Sequence, residues 1–387
     1  MKSQIFIVLL LSVTAVMGDL KLAKELMKLN QPVKAGEVLR QLHVMRPTDP
    51  WVAYNSAVAS YAAKEYLAAD IIWQGLAATP LPNKLRDQVW IQVGNVSFRL
   101  GEQVEISAPD QALTRWEQSR EAYRVSLAAK PRDKVVANNL YVVEQRLAEL
   151  HARLAKRLAK ESQEERENQK AIEKLEAALD HQRTANSLAP KDEEIATDRK
   201  KMERVLADKY TKKASVEEKR ADESLDKKNL DPWAQKWQWD EAAKNLNDAL
   251  TDFAQAKSLD AENKDAAEGD PRVQEKLAKL AAQQGAAHHK EGNRIAEQNP
   301  ESAIDKLEQA LDKFDESLNY KNDQPETQQE QASTKQDLEK LLEKQGDKLA
   351  QQGEQHVQHQ PAHAAEEKMA ALQHYQEAQA LNPDNLV

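Results

Sequence analysis

The chain reads GAAHHKEGNRIAEQNP over residues 285–300 and GDKLAQQGEQHVQHQP over residues 346–361, so two glycines and a closing proline recur 61 residues later. Further positions keep the same step, with Ala310, Phe314 and Ser317 recurring as Ala371, Tyr375 and Ala378. Small, turn and aromatic residues that share one step indicate one structural unit built twice. We therefore predict a repeat array within Leu280–Asn382.

The same frame extends towards the N-terminus as pairs of small residues seven positions apart. These pairs are Gly94 with Gly101, Ala155 with Ser162, and Ala214 with Ala221. Gly285 and Gly346 continue the series formed by the first members of these pairs. The steps along the series Gly94, Ala155, Ala214, Gly285 and Gly346 are 61, 59, 71 and 61 residues. Five copies of a unit of about 60 residues thus cover most of the chain.

Composition favours helices and disfavours nucleic acid as a partner. The chain has 387 residues, of which 31% are charged and 5% aromatic, with a mean hydropathy of −0.79. A helical array tolerates this polarity because each hairpin buries only a narrow stripe against its neighbours. The formal net charge of −9 argues against a phosphate-binding surface. Proline-free tracts rich in Ala, Glu, Lys and Gln, such as Asp192–Lys228 and Thr327–Gln358, predict long helices.

Residues 51–131 carry a resemblance to a known family. The first unit there shows small residues at Ala57 and Ala69, an aromatic residue at Trp73 and a closing proline at Pro80. A second copy follows with Gly94, Trp116, Ser119, Tyr123 and Pro131. The stretch resembles the tetratricopeptide repeat (TPR), whose unit is an antiparallel pair of helices. The resemblance implies an array of α-hairpins with a grooved surface for a protein partner.

The repeats predict an all-α fold in which antiparallel hairpins are elongated in the C-terminal two thirds of the chain. The N-terminus predicts export, because Lys2 precedes the apolar run Ile5–Leu11 and Gly18 offers a cleavage point before Asp19. We expect a leader over residues 1–18, TPR-like repeats over 19–131 and elongated hairpins over 132–387. The destination would be the periplasm or the exterior, with no stable membrane span after cleavage.

An aromatic cluster is the most distinctive local feature. Trp233, Trp237 and Trp239 lie where the 71-residue step adds about ten residues to a hairpin connection. Tryptophan is favoured in binding hot spots, so the three rings are candidates for a partner anchor. The alternative is that they fold back and cap the tip of the hairpin.

A histidine cluster near the C-terminus resembles a set of metal ligands, but its spacing argues against a metal site. His356, His359 and His363 stand near Glu366 and Glu367, but Pro361 breaks the helix that would have to hold the first two histidines beside the third. We therefore predict no metal site and no cofactor. The sequence also shows no nucleophile motif or glycine-rich phosphate loop, so we expect no catalysis.

These observations favour an exported, non-catalytic scaffold that binds protein partners of the cell envelope. The alternative is a structural helical or coiled-coil spacer of the envelope without a ligand groove. Heptad-like spacing of Leu338, Leu341, Leu342 and Leu349 is compatible with that alternative.

Overall fold

The structure is a computed structural model that describes residues 19–227 and 230–382, and all regular secondary structure in these ranges is helical. Consecutive helices pack against each other as antiparallel hairpins. The helices are α1 (19–28), α2 (Pro32–Met45), α3 (Pro50–Ala62), α4 (Tyr66–Ala77), α5 (Asn83–Val104), α6 (Pro109–Ala129), α7 (Lys134–Glu164), α8 (Asn168–Leu188), α9 (Glu193–Leu225), α10 (Pro232–Leu259), α11 (Lys264–Ile295), α12 (Pro300–Tyr320), α13 (Pro325–His356) and α14 (Pro361–Leu381). The predicted fold class, an all-α TPR-like array, is confirmed.

The described part of the chain forms two compact units, which divide between Met202 and Glu203. The predicted leader lies outside the described residues, and the predicted domain boundary after residue 131 stays a prediction. Within the described ranges, no helix is both long enough and apolar enough to cross a membrane.

The hairpin α3–α4 has the short helices that the TPR resemblance implies, 13 and 12 residues long. The Asp49 carboxylate accepts a hydrogen bond from the Trp51 backbone N–H at 3.0 Å, and Pro50 begins α3. Trp73 is fully buried. Trp51 is 41% exposed, whereas the next residue of the same helical turn, Val52, is buried.

The later hairpins are elongated, as predicted, and each pairs a long first helix with a shorter second one. The first helices α7, α9, α11 and α13 have 31, 33, 32 and 32 residues. Their partners α8, α12 and α14 each have 21 residues, and α10 has 28. The prolines that recur within units begin second helices: Pro300 begins α12 and Pro361 begins α14.

The recurring small residues lie in the hairpin interfaces. A Cβ atom on Gly94 would meet the Tyr123 ring at 2.5 Å, so only glycine lets α5 and α6 approach this closely. The Ser119 hydroxyl donates a hydrogen bond to the Gly94 carbonyl oxygen at 2.8 Å across the same interface. Ala155, in the next copy, is also fully buried. The column of small residues is therefore a packing column, as predicted.

Candidate functional site

A cavity of about 230 Å³ opens on the first unit. It is formed by α3, α5, α6 and α7, which belong to three consecutive hairpins. Its lining residues are Tyr61, Asn95, Phe98, Arg99, Tyr123, Asn139, Val142 and Val143. Two amides, two phenols and a guanidinium thus share a small hollow with one aromatic and two aliphatic side chains.

A hydrogen-bond network fixes the amides of this cavity. The Tyr123 hydroxyl donates to Asn95 Oδ1 at 2.7 Å, and Asn139 Nδ2 donates to the same oxygen at 3.4 Å. Asn95 Nδ2 in turn donates to Gln92 Oε1 at 3.0 Å. Burial raises the pKa of Tyr123 to about 12, so the phenol stays neutral and remains a donor at physiological pH. The network orients Asn95 before any ligand arrives.

Arg99 provides the positive charge of the cavity. The neighbouring Tyr61 hydroxyl and the Glu102 carboxylate raise the pKa of the guanidinium, which is protonated at physiological pH as any arginine is. The bond to Glu102 measures 2.7 Å, and the guanidinium carbon lies 6.0 Å from the centre of the Phe98 ring. The Arg99 side chain itself remains exposed. It can still form a charge-assisted hydrogen bond to an incoming carboxylate.

The sequence analysis anticipated a grooved surface but did not single out Arg99 or Asn139. One signal was available, since Asn95 and Arg99 are four residues apart and share a helix face with Glu102. Polar residues at that spacing are common on solvated helices, so the pattern alone does not identify a cavity.

The structure separates the three predicted tryptophans. Trp233 is 78% exposed and Trp237 is 54% exposed, whereas Trp239 packs against the hydrophobic cluster that contains Leu246 and Leu280. Trp239 thus contributes to the core of this unit, unlike the other two rings. Whether Trp233 and Trp237 bind a partner stays a prediction.

The placement of these rings in a connection was wrong, because all three lie in the first turns of α10. The Asp231 carboxylate accepts hydrogen bonds from the Trp233 and Ala234 N–H groups at 3.0 and 2.9 Å, and Pro232 takes the first helical position. This cap starts the helix ahead of the tryptophans. The extra residues therefore lengthen α10.

Pro361 does not keep His356 and His363 apart, contrary to the prediction from sequence. Pro361 starts α14 after a short turn, and the turn brings His363 and Glu367 beside His356 at the end of α13. The ligand atoms of these three side chains all lie within 4.8 Å of one another. His289 lies elsewhere, 2.8 Å from the Asp337 carboxylate.

Comparisons with known proteins found resemblance at the level of solved structures. No family model matches the chain, and no curated protein matches it. Similar solved structures include the TPR2AB domain of yeast Sti1 in complex with pHSP90, at 16% identity and a TM-score of 0.29, covering 83% of this chain and 98% of that chain.

Two other TPR structures also match. A TPR repeats protein from Bacteroides fragilis has 12% identity and a TM-score of 0.26, covering 65% of this chain and 94% of that one. The P58(IPK) TPR domain has 16% identity and a TM-score of 0.20, covering 94% and 99%. Matches at this level of similarity say nothing about ligands.

Proposed function

We propose that the chain is an exported, non-catalytic scaffold that binds a protein partner in the cavity of its first unit. The observation that carries the proposal is the pairing of a protonated Arg99 with the fixed amides Asn95 and Asn139. Amide groups at this spacing can bond to the backbone of an extended segment, and the guanidinium can bond to its carboxylate.

The apolar wall of the cavity supports a peptide as the ligand. Val142, exposed, and Val143, buried, line the cavity one helical turn after Asn139. A peptide offers backbone polar groups and an apolar side chain together, which matches this combination of amide and aliphatic groups. The preferred partner segment would be extended, with a carboxylate placed to reach Arg99 and an aliphatic side chain beside the valines.

Export is part of the proposal and rests on the sequence, namely Lys2, the apolar run Ile5–Leu11 and Gly18. Expression of the full chain in an exporting host tests it. The intact mass of the recovered protein should correspond to a start at or near Asp19. An uncleaved chain recovered with membranes would contradict cleavage.

The binding role is tested with a library of extended peptides that carry a free carboxylate, presented to the full chain and to the variant Arg99→Gln. We expect Arg99→Gln to weaken the retained peptides by at least about tenfold, the loss typical of a charge-assisted hydrogen bond. Arg146→Gln is the matched control, since Arg146 lies exposed on α7, is bonded only to Glu149 among the ion pairs of the described residues, and does not line the cavity.

Asn139→Ala provides an independent check, because it removes one amide of the cavity and leaves the charge in place. It should weaken every retained peptide irrespective of where its carboxylate lies. If no peptide is retained, or if both cavity variants bind peptides as the parent chain does, the result would contradict peptide binding in the cavity. It would favour the alternative of a structural spacer without a ligand groove.

A further inference from the structure

The turn between α13 and α14 gathers two imidazoles around one carboxylate. His356 Nδ1 lies 2.8 Å from Glu367 Oε2, and His363 Nε2 lies 3.3 Å from Glu367 Oε1. The two imidazole rings are 5.3 Å apart between centres. Nitrogen and oxygen donors from the end of α13 and the start of α14 thus lie within 4.8 Å of one another.

The carboxylate at the centre of this group lacks a permanent cationic partner. The Glu367 side chain is only 11% exposed. Among the ion pairs of the described residues, its partners are His356 and His363, with no lysine or arginine. A buried carboxylate is normally paired with a cation or coordinates a metal. A divalent cation held between the three side chains would supply that charge.

The repeat itself shows that this cluster is particular to the last hairpin. The positions 61 residues earlier are Ile295, Ser302 and Lys306, none of which matches a ligand of the later copy. Ile295 instead packs against the hydrophobic cluster of its hairpin. The polar group thus replaces an apolar contact at one hairpin tip.

The last hairpin is also weakly closed by apolar packing. Helix α14 buries three residues, all of them alanine, whereas α12 buries Ile304, Leu307 and Phe314 among others. Leu307 of α12 packs on Gly292, but the equivalent position next to Gly353 is Lys368. A bond between the end of α13 and the start of α14 would fasten a hairpin whose own core contributes little.

We propose that His356, His363 and Glu367 form a zinc-binding site that clips α13 to α14. Zinc takes nitrogen ligands at about 2.0–2.1 Å, which places neighbouring donors of a tetrahedral site roughly 3.3 Å apart. The separations of 2.8 and 3.3 Å between the imidazole nitrogens and the carboxylate are close to this value. Small side-chain rotations bring all three donors onto one ion, and water completes the coordination.

The surrounding groups favour zinc over the harder cations. Two imidazoles suit zinc, copper or nickel, whereas calcium and magnesium prefer oxygen ligands. The Glu366 carboxylate faces the other nitrogen of His363, Nδ1, at 3.7 Å. A carboxylate that accepts a hydrogen bond from the outer nitrogen orients a ligating imidazole and fixes which nitrogen meets the metal, and a small side-chain rotation would bring Glu366 within that distance.

The site is tested by calorimetric titration of zinc ions into the chelator-treated full chain, with excess magnesium present to occupy surface carboxylates. We expect one zinc ion per chain. His356→Ala and His363→Ala should each weaken zinc binding by at least about tenfold. Glu367→Gln should weaken zinc binding equally, although glutamine has nearly the same shape as glutamate. His374→Ala on the same helix is the control and should bind zinc as the parent chain does.

A second readout guards against a variant that binds less because it folds less. Hydrogen exchange should slow in residues 353–367 on adding zinc to the parent chain and to His374→Ala, but not to His356→Ala, while circular dichroism shows equal helicity. Zinc binding of equal strength in His356→Ala and the parent chain would overturn the proposal. So would the absence of a magnesium-resistant site in the parent chain. Either result leaves the peptide-binding proposal untouched, because the cavity shares no residue with this site.

Discussion

The ring of Phe314 lies directly against Gly285, so that a Cβ atom added to the glycine would approach the ring to 2.8 Å. The same relationship recurs 61 residues later, where a Cβ atom on Gly346 would lie 2.7 Å from the Tyr375 ring. An aromatic residue of the second helix thus fills the space that a glycine of the first helix leaves free. Because the glycine and the aromatic ring pack against each other across the hairpin, both recur with the same 61-residue step.

Gly285→Ala should therefore destabilise the second unit. The added methyl group overlaps a ring that is itself buried, and overpacking of this kind typically costs about 1–3 kcal/mol. Urea unfolding followed by circular dichroism measures the loss. Gly75→Ala is the control, because a Cβ atom there meets nothing within 4 Å and the substitution should be neutral or stabilising by up to roughly 1 kcal/mol. Equal stability of the Gly285 variant and the parent chain would argue against the packing role of the column.

An ion-pair network between α9 and α11 gives a second prediction. The buried Glu218 carboxylate accepts hydrogen bonds from Arg272 at 2.8 and 2.7 Å and pairs with Lys276 at 2.9 Å. The bond from Arg272 is the main cause that lowers the pKa of Glu218 below 4.5. Glu218→Gln should cost about 1–3 kcal/mol at pH 7, since both cations remain partly solvated.

The pH dependence of the same network has a fixed sign. Because the folded-state pKa is lowered, the stabilisation is present above the unfolded-state pKa and is lost as the pH falls through and below 4.5. Unfolding free energies at pH 7 and pH 3.5 should therefore differ more for the parent chain than for Glu218→Gln. Identical differences would show that the network does not contribute.

A pair of histidines between α7 and α8 predicts acid sensitivity in the first unit. His151 Nδ1 and His181 Nδ1 lie 2.8 Å apart. Burial and then the neighbouring His181 lower the pKa of His151 to about 4, and burial also lowers the pKa of His181. The unfolded chain then binds more protons between pH 6.5 and 4, so stability should fall as the pH drops through this window.

His151→Gln is the variant that tests this effect, because it keeps a hydrogen-bonding side chain and cannot take up a proton near neutral pH. The melting temperature of the parent chain should fall more between pH 7 and pH 5 than that of the variant. Comparing the two differences removes the contribution of the many carboxylates that both proteins share. A variant that loses as much stability as the parent chain would contradict the prediction.

The sequence was sufficient to predict the hairpins because their determinants are local. Prolines such as Pro300 and Pro361 recur within units and mark the boundary between two paired helices, and small residues seven apart mark one helix face. The cavity was beyond such reasoning, because Asn95 and Asn139 meet from positions 44 residues apart. Their meeting depends on how α5 and α7 rotate about their axes, which no local pattern fixes.

The remaining differences arose at helix starts. The sequence analysis treated the residues around Trp233 and those around Pro361 as interruptions, although an N-cap or a proline at the first position starts a helix as readily as it ends one. At α10, a helix that starts at Pro232 places the tryptophans on the helix and not in a connection. At α14, a helix that starts at Pro361 brings His363 close to His356.

The exposed tryptophans of α10 give the last prediction. Trp233 and Trp237 are four residues apart and share a face of the helix, whereas Trp239 packs into the core of the second unit. Replacing Trp233 and Trp237 together by alanine should leave helicity nearly unchanged and should lower the unfolding free energy less per ring than Trp239→Ala does, because Trp233 is 78% and Trp237 54% exposed. Trp239→Ala should cost about 1–3 kcal/mol, less than a fully buried ring would.

A variant that retains Trp237 as its single tryptophan reports on the environment of that ring directly, and its emission should be red-shifted and readily quenched by acrylamide. If the ring anchors a partner, adding that partner should shift the emission to the blue and protect it from the quencher. Blue-shifted, quencher-resistant emission from the free protein would instead show that Trp237 is covered by the chain itself, and the anchor hypothesis would then have to be abandoned.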